Sequence, residues 1–552
     1  MDLSINKLVQ EATTAHQEGR LAEAEDLYKK VLEIEPIHPV VLNNLGYIKQ
    51  YKGELDEAMV YFRKIKETEG NDYSKLYANM GTTLVKLRKH DEAEKYLRKA
   101  IEHDPGNAYY HTKLSDALKT NGKLEEAEIS YKKLIELDPK ASNAFNNLGN
   151  VLRSLNKFKE AELIYTEAIR LKPKFHQAYS NLGLLLMNID RLADALKCYK
   201  IALQLKPDFV EAHNNLGNIY LKVNRLEEAE RSYKKAIVLK PDLGLLHFNL
   251  GRALKGLNRL EEAERSYKKT IELTPNYSDA YNNLGGILFE LGKLEEAEVV
   301  FKNAIILKPD NSEYLINFSM VLDYLNKQDE AILQLEKVST LLTDEFGLKA
   351  KINLAIFKFL EDDFISSKKY LHASSNITEI FKPELKNHRI YHSYLTKILS
   401  LHKDKSSNID KKIYVIGDSH VLGSHGICVS IEKNNFLCKS ILIMGCTQWE
   451  LGNLTTNKYK IKFESAIRSL PKVSKILLSI GEIDCRIDYG IIKYSEKYPE
   501  KNRSDLIKFT IENYLNYIHK INSLYQHKIT IQGVPSPNVT QINAPKEKIK
   551  EL

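Results

Sequence analysis

Along the first 345 residues the small and apolar positions recur in a fixed order about every 34 residues. Alanine stands at Ala24, Ala58, Ala93, Ala127, Ala161, Ala195, Ala229, Ala263, Ala297 and Ala331. A bulky residue follows four positions later: Tyr28, Phe62, Leu97, Tyr131, Tyr165, Tyr199, Tyr233, Tyr267, Phe301 and Leu335. A third series is small: Gly46, Gly81, Ser115, Gly149, Gly183, Gly217, Gly251, Gly285 and Ser319. Proline punctuates the pattern at Pro36, Pro105, Pro139, Pro173, Pro207, Pro241, Pro275 and Pro309, with Gly70 in the missing slot. This predicts repeated pairs of antiparallel helices. The small residue of the first helix lets the second come close, alanine answers it, and the aromatic fills the gap. Proline ends each unit because it cannot continue a helix. One pair cannot bury its apolar face alone, so the pairs must stack.

The pattern resembles the tetratricopeptide repeat (TPR) over residues 5–345, as ten repeats. The resemblance implies an all-α superhelical solenoid whose first helices line a concave groove that holds a protein or an extended peptide. Residues 346–375 read as an eleventh, decayed repeat, with Ala355 and Leu371 at the small and bulky positions and Ser367 replacing the alanine. Residues 384–402 read as one more amphipathic helix, and KDKSSNIDKK as a linker, so residues 346–408 form a cap and connection.

Two residues before the small position stand Asn44, Asn79, Asn147, Asn181, Asn215, Asn249, Asn283 and Asn317, with Lys113 interrupting the series. Asn43, Asn146, Asn214 and Asn282 often double it. Asparagine is a poor helix former, so its recurrence within helices calls for a reason. A carboxamide both donates and accepts. One per repeat along a groove could clamp the main chain of an extended peptide without reading its sequence. The array is similar to that of O-GlcNAc transferase, where the matching asparagines imply this role. The competing reading is that they tie neighbouring repeats together, or reflect shared descent of the repeats.

Near residue 409 the 34-residue period stops and strand–helix alternation begins. KIYVIGD from Lys412, KSILIMG from Lys439, KILLSIG from Lys475 and KITIQGVP from Lys528 predict four buried strands, with the longest intervening helix near 503–526. Such alternation predicts a small, doubly wound, flavodoxin-like parallel sheet over residues 409–552, with any site at the C-terminal ends of its strands. Those ends carry Asp418, Ser419 and His420, then Gly445 and Cys446, then Gly481, Glu482, Ile483, Asp484, Cys485 and Arg486. The G-D-S turn resembles the first block of the SGNH (GDSL-like) hydrolases. The resemblance implies Ser419 as nucleophile, its N–H and Gly445 as oxyanion donors, and Asp418, Gly481, Glu482, Asp484 and Arg486 around the pocket. Two departures weaken it. Ile483 stands where the family has an oxyanion-donating asparagine, and no D-x-x-H supplies a base before Leu552, so the α/β domain reads as incomplete. His420 and His425 do not occupy the base position. Asp418 and Ser419 equally suit a helix cap, the 482–486 charges an ion-pair network and Cys485 a small buried residue.

The whole net charge of +8 falls in residues 411–552, which carry 21 Lys and Arg against 13 Asp and Glu. These lysines are scattered, without a dense basic run, and read as solvated rather than as a nucleic-acid site. Five cysteines without a C-x-x-C pair indicate neither a disulfide framework nor a metal site, and no cofactor motif is present. No apolar stretch is long enough to cross a membrane and no signal peptide is legible, so the expected compartment is the cytoplasm. The function expected is that of an interaction scaffold with an accessory SGNH-like domain and no activity of its own. The alternatives are a TPR-recruited ester hydrolase using Ser419, and a partner presenting substrate to a separate glycosyltransferase.

Overall fold

The computed structural model describes residues 2–65, 73–341, 345–375, 386–401, 412–417, 428–431, 434–442, 457–479 and 503–531. They fall into two compact units, Met1–Lys240 and Pro241–Leu552.

The first unit holds seven helix pairs, from α1 (Asp2–Gln17) and α2 (Leu21–Ile34) to α13 (Val210–Lys222) and α14 (Leu226–Leu239). The repeating alanines and tyrosines are its core: Ala161, Tyr165, Ala195, Tyr199, Ala229 and Tyr233 are all fully buried. The helix–helix contact is made chiefly by the aromatic. A Cβ added to Gly149 would lie 2.5 Å from Cε1 of Tyr165, and one on Gly217 equally close to Tyr233, so each glycine accepts the flat of a ring. At Gly81, where leucine replaces the aromatic, an added Cβ would meet Cγ of Leu97 at 2.6 Å. Seven residues after the small position each pair turns through a left-handed residue, as at Gly122, Asn156 and Asn224. Glycine and asparagine tolerate that conformation.

A polar staple also repeats. Glu128, just after Ala127 and almost buried, accepts from Lys132 one turn on and from Lys157, which precedes the second helix of the next repeat, at 2.6 and 2.7 Å. Glu94 takes Arg98 and Lys123 in the same way. In the second unit Glu264 takes Lys268 and Lys293, and Glu298 takes Lys302 and Lys327. Burial alone would raise the Glu264 carboxyl, but its two lysine bonds outweigh that and hold it below its ordinary range.

The second unit continues with α15 (Gly244–Gly256), α16 (Leu260–Leu273), α17 (Ser278–Glu290), α18 (Leu294–Leu307), α19 (Ser312–Tyr324) and α20 (Gln328–Leu341). Then come α21 (Glu345–Leu360), α22 (Phe364–Ser375) and α23 (Lys386–Leu401). In the decayed pair Ser367 is fully buried and its hydroxyl donates to the Ala355 carbonyl at 2.8 Å, which explains how serine replaces the alanine.

The α/β layer comprises β1 (Lys412–Gly417), β2 (Cys428–Ile431), β3 (Asn434–Leu442), α24 (Lys458–Ser469), β4 (Lys475–Ser479), α25 (Arg503–Tyr525) and β5 (Lys528–Ile531). The sheet order is β2-β3-β1-β4-β5. Strands β3, β1, β4 and β5 are mutually parallel, and β2 adds an antiparallel edge against β3 that the sequence pattern did not announce. Both faces are covered by helices. Ile416, Ile476 and Leu478 pack with Phe463, Ile467 and Ile518 of α24 and α25. The alternate residues Val415, Cys438 and Leu442 pack with Leu348, Ile352, Phe359, Leu395 and Leu399 of the last array helices. The end of the helical array therefore supplies one of the two layers that a parallel sheet requires. Among the described residues no helix is long and apolar enough to cross a membrane.

Candidate functional site

The asparagine ladder lies on the first helix of each pair. Seven of its members are half-buried and Asn249 is buried. Several donate across repeats through Nδ2: Asn79 to Asn43 Oδ1 at 3.1 Å, Asn181 to Asn146 Oδ1 at 2.9 Å, and Asn317 to Asn282 Oδ1 at 3.0 Å. Asn44 donates to the Tyr28 hydroxyl at 2.9 Å, and Asn147 more weakly to Asp116 at 3.4 Å. Asn215 accepts from Asn214 at 3.4 Å, and Asn283 donates to the Asp279 carbonyl at 2.8 Å. A carboxamide has two donors and two acceptor lone pairs. Each of these bonds uses one of the four and orients the amide. The ladder continues one repeat beyond Asn317. Asn353, two residues before Ala355, is nearly buried in α21.

In the second unit the ladder runs into a cavity of about 340 Å³. Asn282, Asn283, Asn317 and Asn353 line it, with Phe289, Tyr324 and Phe357 as aromatic wall. Phe289 and Tyr324 meet edge to face, centroids 4.9 Å apart. Lys458 and Tyr459, from the start of α24, complete the lining.

That helix is held against the array by a stripe of residues. Lys458 Nζ pairs with Glu290 at 2.7 Å and sits 4.7 Å above the Phe289 ring. Lys462, only 6% exposed, bonds Asp323 Oδ1 at 3.1 Å and also donates to the Asp323 carbonyl. Asn326 donates to the Ser465 hydroxyl. Gly292 touches α24 directly, for a Cβ there would lie 2.8 Å from Ile461 Cδ1. On the sheet side Lys460 is buried with Nζ 4.6 Å over the Tyr517 ring, and burial lowers its pKa. The expectation of solvated lysines fails for these three. Residues 458, 462 and 465 share one helical face, and 459, 463 and 466 another, so α24 has two packed faces. That signal was present in the sequence but is indistinguishable there from an ordinary amphipathic helix.

In register, Gly417 pairs with Leu442 on one side and Ser479 on the other. The residues that follow these ends, Asp418, Ser419, His420, His425, Gly445, Cys446 and Gly481 to Arg486 with Glu482, Asp484 and Cys485, lie outside the described residues. Two described cysteines are free thiols, Cys438 buried and Cys198 half-buried, the latter raised to about 11 by burial.

The helix pairs, their glycine–aromatic packing and their 34-residue phase are those of tetratricopeptide repeats, and the chain is a TPR repeat protein. Residues 63–280 match the family described as the cilia and flagella-associated protein 70 C-terminal domain, and residues 15–80 and 266–299 match tetratricopeptide repeat families. No curated protein matches the chain. Among solved structures, YrrB, described as a TPR protein with an unusual peptide-binding site, is 26% identical with TM-score 0.30, covering 34% of this chain and 97% of its own. Yeast Tom70 is 17% identical with TM-score 0.35, covering 73% of this chain and 98% of its own. Human IFIT1, in a dimer with m7Gppp-AAAA, is 18% identical with TM-score 0.41, covering 68% and 94%.

Proposed function

We propose that the protein is an interaction scaffold that holds an extended peptide segment of its partner along the asparagine ladder, by the main chain. The supporting observation is the state of the ladder amides. Asn79, Asn181 and Asn317 are each fixed by one bond to the preceding repeat and are half-buried, so donors and acceptors remain for a peptide backbone. Fixing an amide beforehand reduces the ordering entropy that binding must overcome. The inter-repeat tie and the clamp are thus two uses of one side chain.

An accessory SGNH-like role for the last domain is supported by its strand order. Parallel strands in the order β3-β1-β4-β5, reversing direction of addition at β1, form the doubly wound arrangement in which ligands meet the strands' C-terminal ends. Ser419 follows the first of those ends by two residues.

Peptides selected on the full chain from a displayed library of random dodecapeptides test the groove reading by fluorescence anisotropy. Replacing Asn147, Asn181 and Asn215 together by alanine is expected to weaken binding about tenfold or more, since each net hydrogen bond contributes about 0.5–1.5 kcal/mol. Unchanged affinity in a variant that keeps its helicity would leave these asparagines a purely structural role.

A further inference from the structure

One glycine in the array has no packing reason to be there. Gly286 lies inside α17, where glycine weakens a helix. Its neighbour Gly285 accepts the Phe301 ring, with an added Cβ 2.7 Å from Cε2, but a Cβ on Gly286 would meet nothing within 4 Å. In the other ten repeats the equivalent position carries a side chain: Thr13, Tyr47, Thr82, Asp116, Asn150, Leu184, Asn218, Arg252, Met320 and, in the decayed pair, Ile356. At four of these the side chain accepts from a tyrosine hydroxyl of the second helix: Tyr28 donates to Thr13 at 3.4 Å, Tyr131 to Asp116, Tyr165 to Asn150 at 2.8 Å and Tyr233 to Asn218 at 2.7 Å. The ninth repeat lacks both halves of that pair, having Phe301 for the tyrosine and Gly286 for its acceptor. What remains is the cavity of about 340 Å³. It sits at the small end of the range for ligand pockets, roughly 300–1,000 Å³. Aromatic rings wall it, ladder amides edge it and α24 bounds it.

We propose that the cavity opened by Gly286 receives one large apolar side chain, aromatic or methionine-like, of an extended peptide whose main chain lies on the adjoining ladder. The proposal rests on the groove reading above and adds the one position at which the partner's sequence is read. The chemistry fits this occupant. Phe289, Tyr324 and Phe357 offer apolar and edge-to-face contact, while Asn283 and Asn317 beside them offer main-chain hydrogen bonds. Of the charged groups in the lining, Glu290 pairs with Lys458, Asp323 with Lys462, and Glu313 accepts from Asn282 Nδ2 at 3.3 Å, while Lys255 adds a cation at the same cavity; the apolar choice therefore rests on the three aromatic walls. Because Lys458 and Tyr459 belong to the α/β layer, that layer takes part in choosing the array's partner.

The test uses the full chain and the displayed dodecapeptide library. Peptides selected on the unaltered chain should share one fixed apolar position, and alanine there should weaken binding about tenfold, the order expected for burying such a side chain. Gly286→Met fills the cavity with the residue that the next repeat carries. It should remove the preference, so that the parent peptide and its alanine derivative bind alike. Gly286→Ala, which leaves most of the space open, should keep it and serves as the folding control. Selected peptides with no shared apolar position, or a preference that survives Gly286→Met, would overturn the proposal. The groove reading is scored separately by the Asn147, Asn181 and Asn215 variant, so either can fail alone.

Discussion

Ala229→Leu should destabilise the first unit by about 3 kcal/mol, the upper end of the cost of overpacking a filled site. Ala229 is fully buried in α14, one turn before Tyr233, whose ring lies against Gly217 of α13. The missing Cβ of Gly217 is what lets the ring in, and Ala229 has no exposed surface into which the added isopropyl group could turn. Such sites resist relaxation because the pair is held in turn by the pair stacked before it. Urea titration followed by circular dichroism should show a lower midpoint for this variant. Val238→Leu, in the same helix but 82% exposed, should leave it in place. An unchanged midpoint for Ala229→Leu would mean that the phase of the repeat has been assigned wrongly.

Lys462→Glu should release α24 from the array. The ammonium is almost inaccessible and satisfies both the carboxylate and the carbonyl of Asp323. A carboxylate in its place would leave two like charges facing each other at a largely buried site. Breaking a buried pair by removing one partner typically costs about 3–5 kcal/mol, and reversing the charge adds repulsion. The sheet shares its other face with α21 and α23, so the loss should be local: amide exchange should rise through α24, with α13 and α14 unaffected. Adding Asp323→Lys should restore part of the protection, because the carboxylate regains a cation but the carbonyl of residue 323 loses its donor. Equal exchange in α24 of the original and the variant would show that the lysine does not hold the two layers together.

The repeats were legible because they are punctuated by residues that permit few alternatives. Pro105 to Pro309 fix the period, and Gly149 with Tyr165 fixes which faces meet. In the α/β layer β1 matched its reading from Lys412, whereas β3 begins at Asn434, five residues before the apolar run. The antiparallel pairing of Val429 with Phe436 extends it, and such an edge depends on a partner strand rather than on local pattern. The site was only partly legible. The ladder announced itself by an ill-suited residue recurring in a helix, and Asn353 could have been added from Ala355. Gly286 is visible only when the repeats are aligned with the packing known, since an isolated helical glycine has many explanations. Lys458 and Lys462 could not be read at all: a lysine's burial is decided by what another part of the chain lays over it.

A ladder that grips a peptide by its main chain should respond to a change in that main chain. A selected dodecapeptide can be synthesised with N-methyl groups on alternate residues, and separately with its side chains shuffled while its single apolar anchor stays in place. Anisotropy titrations on the full chain should show the methylated peptide weakened about tenfold or more and the shuffled one nearly unchanged, because methylation removes donors and crowds the backbone while shuffling leaves it intact. The opposite ranking, with methylation tolerated and shuffling abolishing binding, would mean that the groove reads side chains and does not hold the main chain.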